Sequence, residues 1–378
     1  MEAVMNRYRY DRNRFLSDAA TPPWPPALGD VEAFHRSLPG FAETPLVEFP
    51  ALARELELGE VWVKDESKRC GLNAFKMLGA SYALHRFMRA RVSGPPLTFC
   101  TATDGNHGRA VAWSARRLGH KAVIFVPVNT VPARIEAIRG EGAEVVVVEG
   151  TYDDAVERAA ADAKAHKWQV ISDTAYPGYM EIPAWIMEGY MTLFEEAARQ
   201  LAAAGRRPPS AVLLQAGVGA LAGAGTLFYW RRGRRPTLIS VEPVDADCLR
   251  ESIASENGDL RKATGGQNSI MAGLNCGTPS LLAWPIIKAG MHGFLAVDDD
   301  YAKEAMRRLA NGRGGDPRVV SGESGAAGLA GLLALCQERG LEDARYQLGL
   351  DSASRVLLIS TEGATDPVSY ERIVGKPA

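Results

Sequence analysis

Short apolar runs rich in β-branched residues alternate along this chain with longer stretches whose apolar positions recur at helical spacing. The runs at 61–63, 97–100, 121–126, 144–148, 169–172, 211–215, 237–241 and 355–360 are bounded by turn residues and predict strands. Segments 75–89, 107–118, 152–165 and 182–203 predict the amphipathic helices between them. Strands separated by helices of this length fit parallel sheets with crossover helices, so the fold class is α/β. After the long helix, AAAGRRPPS at 202–210 reads as an exposed turn and as the return of the chain from one domain to another. No internal repeat or low-complexity tract interrupts the pattern.

Composition narrows the function classes. A chain of 378 residues suits two domains sharing an interface. With 46% hydrophobic and 23% charged residues, and 38 Gly and 22 Pro scattered throughout, neither disorder nor a fibre is expected. The net charge of -2 offers no electrostatic footprint for nucleic acid or an anionic membrane, which leaves a small molecule as the expected partner. Residues 1–15 are polar and Arg-rich, without the apolar stretch of a signal peptide, and no segment is apolar enough to span a membrane. The five cysteines (Cys70, Cys100, Cys248, Cys276 and Cys336) are odd in number and form no CxxC pair, which fits a reduced, cytoplasmic protein. A facultative Cys248–Cys276 bridge stays open.

Four segments carry candidate chemistry. In NAFKMLGAS (73–81), Lys76 lies between Phe75 and Met77. It reads either as a lysine snorkelling from a helix start or as an amine desolvated for Schiff-base chemistry. TATDGNHGR (101–109) follows a strand and precedes a helix, where open α/β sheets bind ligands; a plain helix cap with turn glycines explains it equally. QAGVGALAGAG (215–225) follows the strand AVLLQ, and its small residues let backbone N–H groups approach a phosphate at a helix start. Tight packing is the alternative, as is a dinucleotide loop of G-x-G-x-x-A form with Glu242 as its ribose-binding acid. ISTEGATD (359–366) ends a strand with Ser360 and Thr361, hydroxyls that either cap a helix or face a heteroaromatic nitrogen, and Asp173 ends another strand with the same two readings. A dinucleotide-dependent oxidoreductase explains the glycine loop but has no use for the lysine, the Asn-His loop or the Ser-Thr strand end. An enzyme using pyridoxal 5′-phosphate (PLP) employs all four.

Those segments, with VEPVDADC (241–248), MAGLNCG (271–277) and SGESGAAGL (321–329), resemble the fold-type II PLP-dependent enzymes, and among them the diaminopropionate ammonia-lyase family. The resemblance runs from about Phe41 almost to the C-terminus. It implies two open, twisted, mostly parallel sheets flanked by helices. It also implies a large PLP-binding domain from 1–84 and 191–378, a smaller mobile domain at 85–190, the active site between them, and a homodimer. Lys76 matches the Schiff-base lysine and Asn106 the residue that hydrogen-bonds the cofactor's 3′-oxygen. Gly217, Val218, Gly219, Ala220 and Leu221 match the phosphate loop, and Thr361 with Ser360 the hydroxyls at the pyridine nitrogen. No metal is implied, although Glu323 in SGESG reads as either a monovalent-cation ligand or a structural carboxylate.

Asp104 departs from the wider superfamily, in which dehydratases and racemases of similar sequence carry Ser. A carboxylate there suits a second ammonium group or proton transfer, and so points to a diamino acid. By the resemblance, Lys76 and Asp104 take the α-proton of opposite enantiomers and Asp173 holds the β-ammonium. The expected reaction is α,β-elimination of 2,3-diaminopropionate to pyruvate and ammonia. A serine or threonine dehydratase or a β-substitution synthase of the same fold is the nearest alternative; an NAD-binding oxidoreductase or a non-catalytic binding protein is more remote.

Overall fold

The computed structural model describes residues 7–19, 31–91, 94–103, 105–233 and 235–378. Their strands are β1 (Tyr8–Arg12), β2 (Leu46–Glu48), β3 (Glu60–Asp65), β4 (Thr98–Ala102), β5 (Lys121–Pro127), β6 (Glu144–Val148), β7 (Gln169–Val170), β8 (Ala211–Gln215), β9 (Thr237–Pro243), β10 (Gly293–Val297) and β11 (Arg355–Ser360). They form two sheets. One has the order β1-β10-β9-β8-β11-β3-β2, the other β6-β5-β4-β7. Every pairing is parallel except those of the edge strands β1 and β2. The chain is therefore α/β with mostly parallel sheets, as its periodicity predicted.

The apolar runs of β8 and β11 follow from burial on both faces. Val212, Leu214, Leu357 and Ile359 face one core, which includes Met77, Leu78 and Phe194. Leu213, Val356 and Leu358 face the opposite core, with Leu329, Ala330 and Leu333. This period of two is the strand pleat itself, and it fixes which way the residues beyond the strand end point.

The helix Lys76–Arg89 holds the candidate lysine at its first position and packs against two others, Glu181–Ala203 and Asn106–Arg117. The contact with the long helix is close. A Cβ on Gly189 would sit 2.4 Å from the Leu78 carbonyl oxygen, and one on Gly79 would sit 2.5 Å from the Tyr190 ring. A buried ion cluster ties the same long helix to β3: Lys64 Nζ and Arg69 Nη2 each lie 2.7 Å from Glu196 Oε2, and Arg69 also pairs with Glu66. Residues 202 and 203 end the long helix, and 204–210 are the largely exposed link from it to β8. The long helix before them already packs on helix Ala220–Arg231, which follows β8 in the seven-stranded sheet. The chain leaves the four-stranded sheet earlier, between β7 and that helix.

Gly189→Ala is therefore expected to lower stability by about 1–3 kcal/mol, because backbone rather than a flexible side chain blocks the added methyl. Gly140→Ala, where nothing lies within 4 Å of the added atom, is expected to be nearly neutral. Urea unfolding of the two variants measures the difference.

Candidate active site

Lys76, Asn106, Asp173, the 217–221 loop and Thr361, all singled out above, converge at the carboxyl ends of five parallel strands drawn from both sheets. Lys76 follows β3, Asn106 and His107 follow β4, Asp173 follows β7, the glycine loop follows β8, and Thr361 follows β11. Between them lies a cleft enclosing about 800 Å³ of atom-free space, counting open solvent at its mouth. Lys76, Asn106, His107, Asp173, Gln215, Gly217 to Leu221, Thr361 and Glu362 all line it. Ligand sites at this edge of open sheets are a general property of the architecture.

Lys76 Nζ lies 2.5 Å from Asp173 Oδ2, and 5.4 and 5.9 Å from the ring centres of Phe75 and Tyr190. Burial by itself would raise the Asp173 pKa, but Lys76, and after it His107, hold the carboxyl down at about 2. His107 donates from Nε2 to the Ile171 carbonyl at 2.8 Å, and burial lowers the pKa of its imidazole while Asp173 opposes that shift. Asn106 opens the helix Asn106–Arg117 and donates its amide nitrogen to Glu362. Gly105 just before it has φ +148°, and a Cβ there would meet Arg134 Cδ at 2.9 Å, so the turn requires glycine twice over. Asp104 lies outside the described residues.

The glycine loop is a cradle. A Cβ on Gly217 would meet Cys276 Sγ at 2.8 Å, while Gly219 has φ +96° and its Cβ would meet Ile287 Cδ1 at 2.8 Å. The first internal bond of helix Ala220–Arg231 runs from Gly223 N to Gly219 O, so the earlier N–H groups have no intrahelical partner. The donors suit a phosphate. Thr361 Oγ1 accepts from Gln215 Nε2 at 3.2 Å. The same nitrogen also faces the carbonyls of Ile359, Gly325 and Ser324 at 2.8–3.2 Å, which fixes the Gln215 amide as the donor. Thr361 is thereby left with its own O–H to give, as a neutral pyridine nitrogen needs. An amine, an amide donor, an anion cradle and a hydroxyl around one cleft fit PLP.

Ser360 is a correction. The pleat turns it to the opposite face from Thr361, where its Oγ donates to Ser321 Oγ at 2.8 Å, away from the cleft. Glu242 is equally unsuited to a ribose, because its carboxylate is buried and caps the helix Cys248–Ala254 through the N–H groups of Leu249 and Arg250. Cys248 and Cys276 are both thiols flanking Gly217. Glu323 lines an adjoining cavity; burial, with Glu362 nearby, raises its pKa, and no cluster of three potential metal ligands occurs among the described residues.

Gln215, His107 and Glu362 complete the site without having been singled out individually. Gln215 had a signal, a polar side chain ending the otherwise apolar run AVLLQ. Glu362 had one as well, an acid directly after the Ser-Thr pair that is almost fully buried. The glycines of SGESG explain themselves here: a Cβ on Gly322 would lie 2.4 Å from the Gly363 carbonyl oxygen, and one on Gly325 would lie 2.5 Å from that of Glu362.

Comparison with known proteins agrees with this geometry. A family model described as "Pyridoxal-phosphate dependent enzyme" matches residues 38–361. The diaminopropionate ammonia-lyase of Salmonella typhimurium is 43% identical over 367 residues, covering 91% of each chain. That of Escherichia coli K12 is 41% identical over 381 residues, covering 96% of this chain and 95% of the other. The solved structure of the Escherichia coli enzyme in complex with an aminoacrylate-PLP azomethine reaction intermediate superposes with a TM-score of 0.89, at 39% identity and with 97% of this chain and 96% of that one covered. By fold, cleft and sequence, this chain belongs to the diaminopropionate ammonia-lyase family of PLP-dependent enzymes.

Proposed function

We propose that this chain is a PLP-dependent lyase that eliminates the β-amino group of 2,3-diaminopropionate, D or L, to give pyruvate and ammonia. The observation that carries the reading is the convergence of Lys76, Asn106, Thr361 and the 217–221 loop on one cleft. The N–H groups of that loop would hold the cofactor's phosphate, Asn106 its 3′-oxygen and Thr361 its ring nitrogen. Bound PLP supplies an aldehyde that captures an amine and a conjugated ring that takes up the electrons left by a departing α-proton.

The side chains do the rest. Lys76 Nζ takes the α-proton of one enantiomer and Asp104 that of the other, each acting as a general base. Asp173, ionised throughout the neutral range, holds the substrate's β-ammonium beside Lys76. An ammonium leaves without needing a further proton, whereas a hydroxyl needs an acid, and this favours the diamino acid over serine. Released aminoacrylate hydrolyses to pyruvate and a second ammonia. The two sheets are proposed as two domains, with residues 85–190 the smaller and mobile one. No helix among the described residues is long and apolar enough to cross a membrane, and the assembly is proposed to be a cytoplasmic homodimer.

Pyruvate is expected to form at least about tenfold faster from 2,3-diaminopropionate than from serine, tenfold being about 1.4 kcal/mol of discrimination. Lys76→Ala is expected to cost at least about 100-fold with either enantiomer, and Asp104→Asn a similar factor with one enantiomer only. A lactate-dehydrogenase-coupled assay on separate D and L substrates reads all three. Faster pyruvate release from serine would make the chain a dehydratase instead.

Asp173 also predicts a pH dependence. Its folded pKa of about 2 lies below the ordinary 3.8, so it stabilises the fold above about pH 4, and that contribution is lost as the pH falls towards 2. On protein stripped of PLP, urea unfolding should show Asp173→Asn less stable by roughly 2 kcal/mol at pH 5, with the gap narrowing at pH 3. A gap that does not change with pH would contradict the pairing.

A further inference from the structure

Glu362 reaches three segments that the site depends on. Its Oε2 accepts from the Asn106 amide nitrogen, and Thr365 Oγ1 donates to the same oxygen at 3.2 Å. Its Oε1 accepts from Ser324 N at 3.2 Å. The side chain is almost fully buried, and its backbone bridges Ala74, two residues before Lys76. The charged and titratable groups around it come from different elements: Lys76 and Asp173 in the cleft, Glu323 before helix Ala327–Gln337, and Arg134, which reaches Thr365 Oγ1 at 3.4 Å from helix Pro132–Gly140.

The consequence lies in the amide. A carboxylate offers only acceptors, so the group of Asn106 that faces it is the nitrogen and not the oxygen. That nitrogen carries two N–H bonds. With one committed to Glu362, the amide cannot rotate to present its oxygen, and the second N–H is the group available to an acceptor in the cleft. An asparagine without such a partner has two orientations of similar energy, one of which sets an oxygen lone pair against the 3′-oxygen it is meant to bind. Hydrogen bonds with an ionised partner are roughly twice as strong as neutral ones, so a buried carboxylate is an effective clamp.

We propose that Glu362 is a positioning residue that fixes the Asn106 amide as the donor to the 3′-oxygen of PLP, and so joins the four-stranded-sheet side of the cleft to the strand end that carries Thr361. The proposal rests on the assignment of Asn106 to that oxygen. It concerns orientation and not proton transfer, so Glu362 is expected to act through Asn106 and through no other group at the cofactor.

The test is a double-mutant cycle on the full chain, stripped of PLP and reloaded, that reads PLP affinity by fluorescence titration and the visible absorption of the bound cofactor. Glu362→Leu is expected to weaken PLP binding about tenfold, the effect of losing one charge-assisted hydrogen bond, and to move the absorption band in the same direction as Asn106→Ala. Glu362→Gln keeps an acceptor and is expected to recover most of both. In the Asn106→Ala background, Glu362→Leu is expected to add nothing. Should the leucine variant fail to fold, the glutamine variant is carried through the same cycle, where its smaller loss must vanish once Asn106 is absent. Losses that add in full, or no change in affinity and band with Glu362→Leu, would overturn the proposal. No effect of Asn106→Ala on either readout would instead overturn the assignment of Asn106 on which it rests.

Discussion

A short antiparallel seam holds the site together. Phe75 N donates to Thr361 O at 3.1 Å, Gly363 N donates to Asn73 O at 2.9 Å, and Ala74 and Glu362 pair between them. These bonds join segments almost 290 residues apart and place the start of the lysine helix against the end of β11. Buried backbone groups must find partners, and here satisfying them also sets Lys76 beside Thr361. Gly322 and Gly325 allow SGESG to pass over the seam at a distance no side chain would permit.

Around the seam, electrostatics are divided by depth. The Lys64–Glu196–Arg69–Glu66 cluster is fully buried and locks β3 to the long helix. A cluster of this kind is costly to break, since removing one partner leaves the others uncompensated. The Lys76–Asp173 pair is different, because the lysine side chain keeps 19% of its exposure and opens onto the cleft. The first set of charges fixes the scaffold. The second stays accessible to ligands, as an amine that exchanges partners requires.

Much of this was legible in the residues themselves. Each predicted strand corresponds to an observed one, because each is a short apolar run bounded by turn residues, a pattern that shows inside a sheet and equally at the edges held by β6 and β7. The strands β1, β2 and β10 were not anticipated. YRYDR in β1 is a half-exposed edge strand with no apolar run, and β2 spans three residues, too short to establish a period. Lys76, Asn106, the glycine loop and Thr361 were readable from motifs whose small or polar residues interrupt apolar runs. Ser360 was misjudged because a sequence shows two adjacent hydroxyls but not which face of the pleat each takes. Glu362 was passed over because its role depends on Asn106, which approaches only once both sheets are in place.

The most direct measurement of the central claim is borohydride reduction of the PLP-loaded protein followed by peptide mass mapping. The account predicts a single pyridoxyl adduct on the peptide containing Lys76, lost in the Lys76→Ala variant. An adduct on another lysine, or none despite saturating PLP, would contradict it.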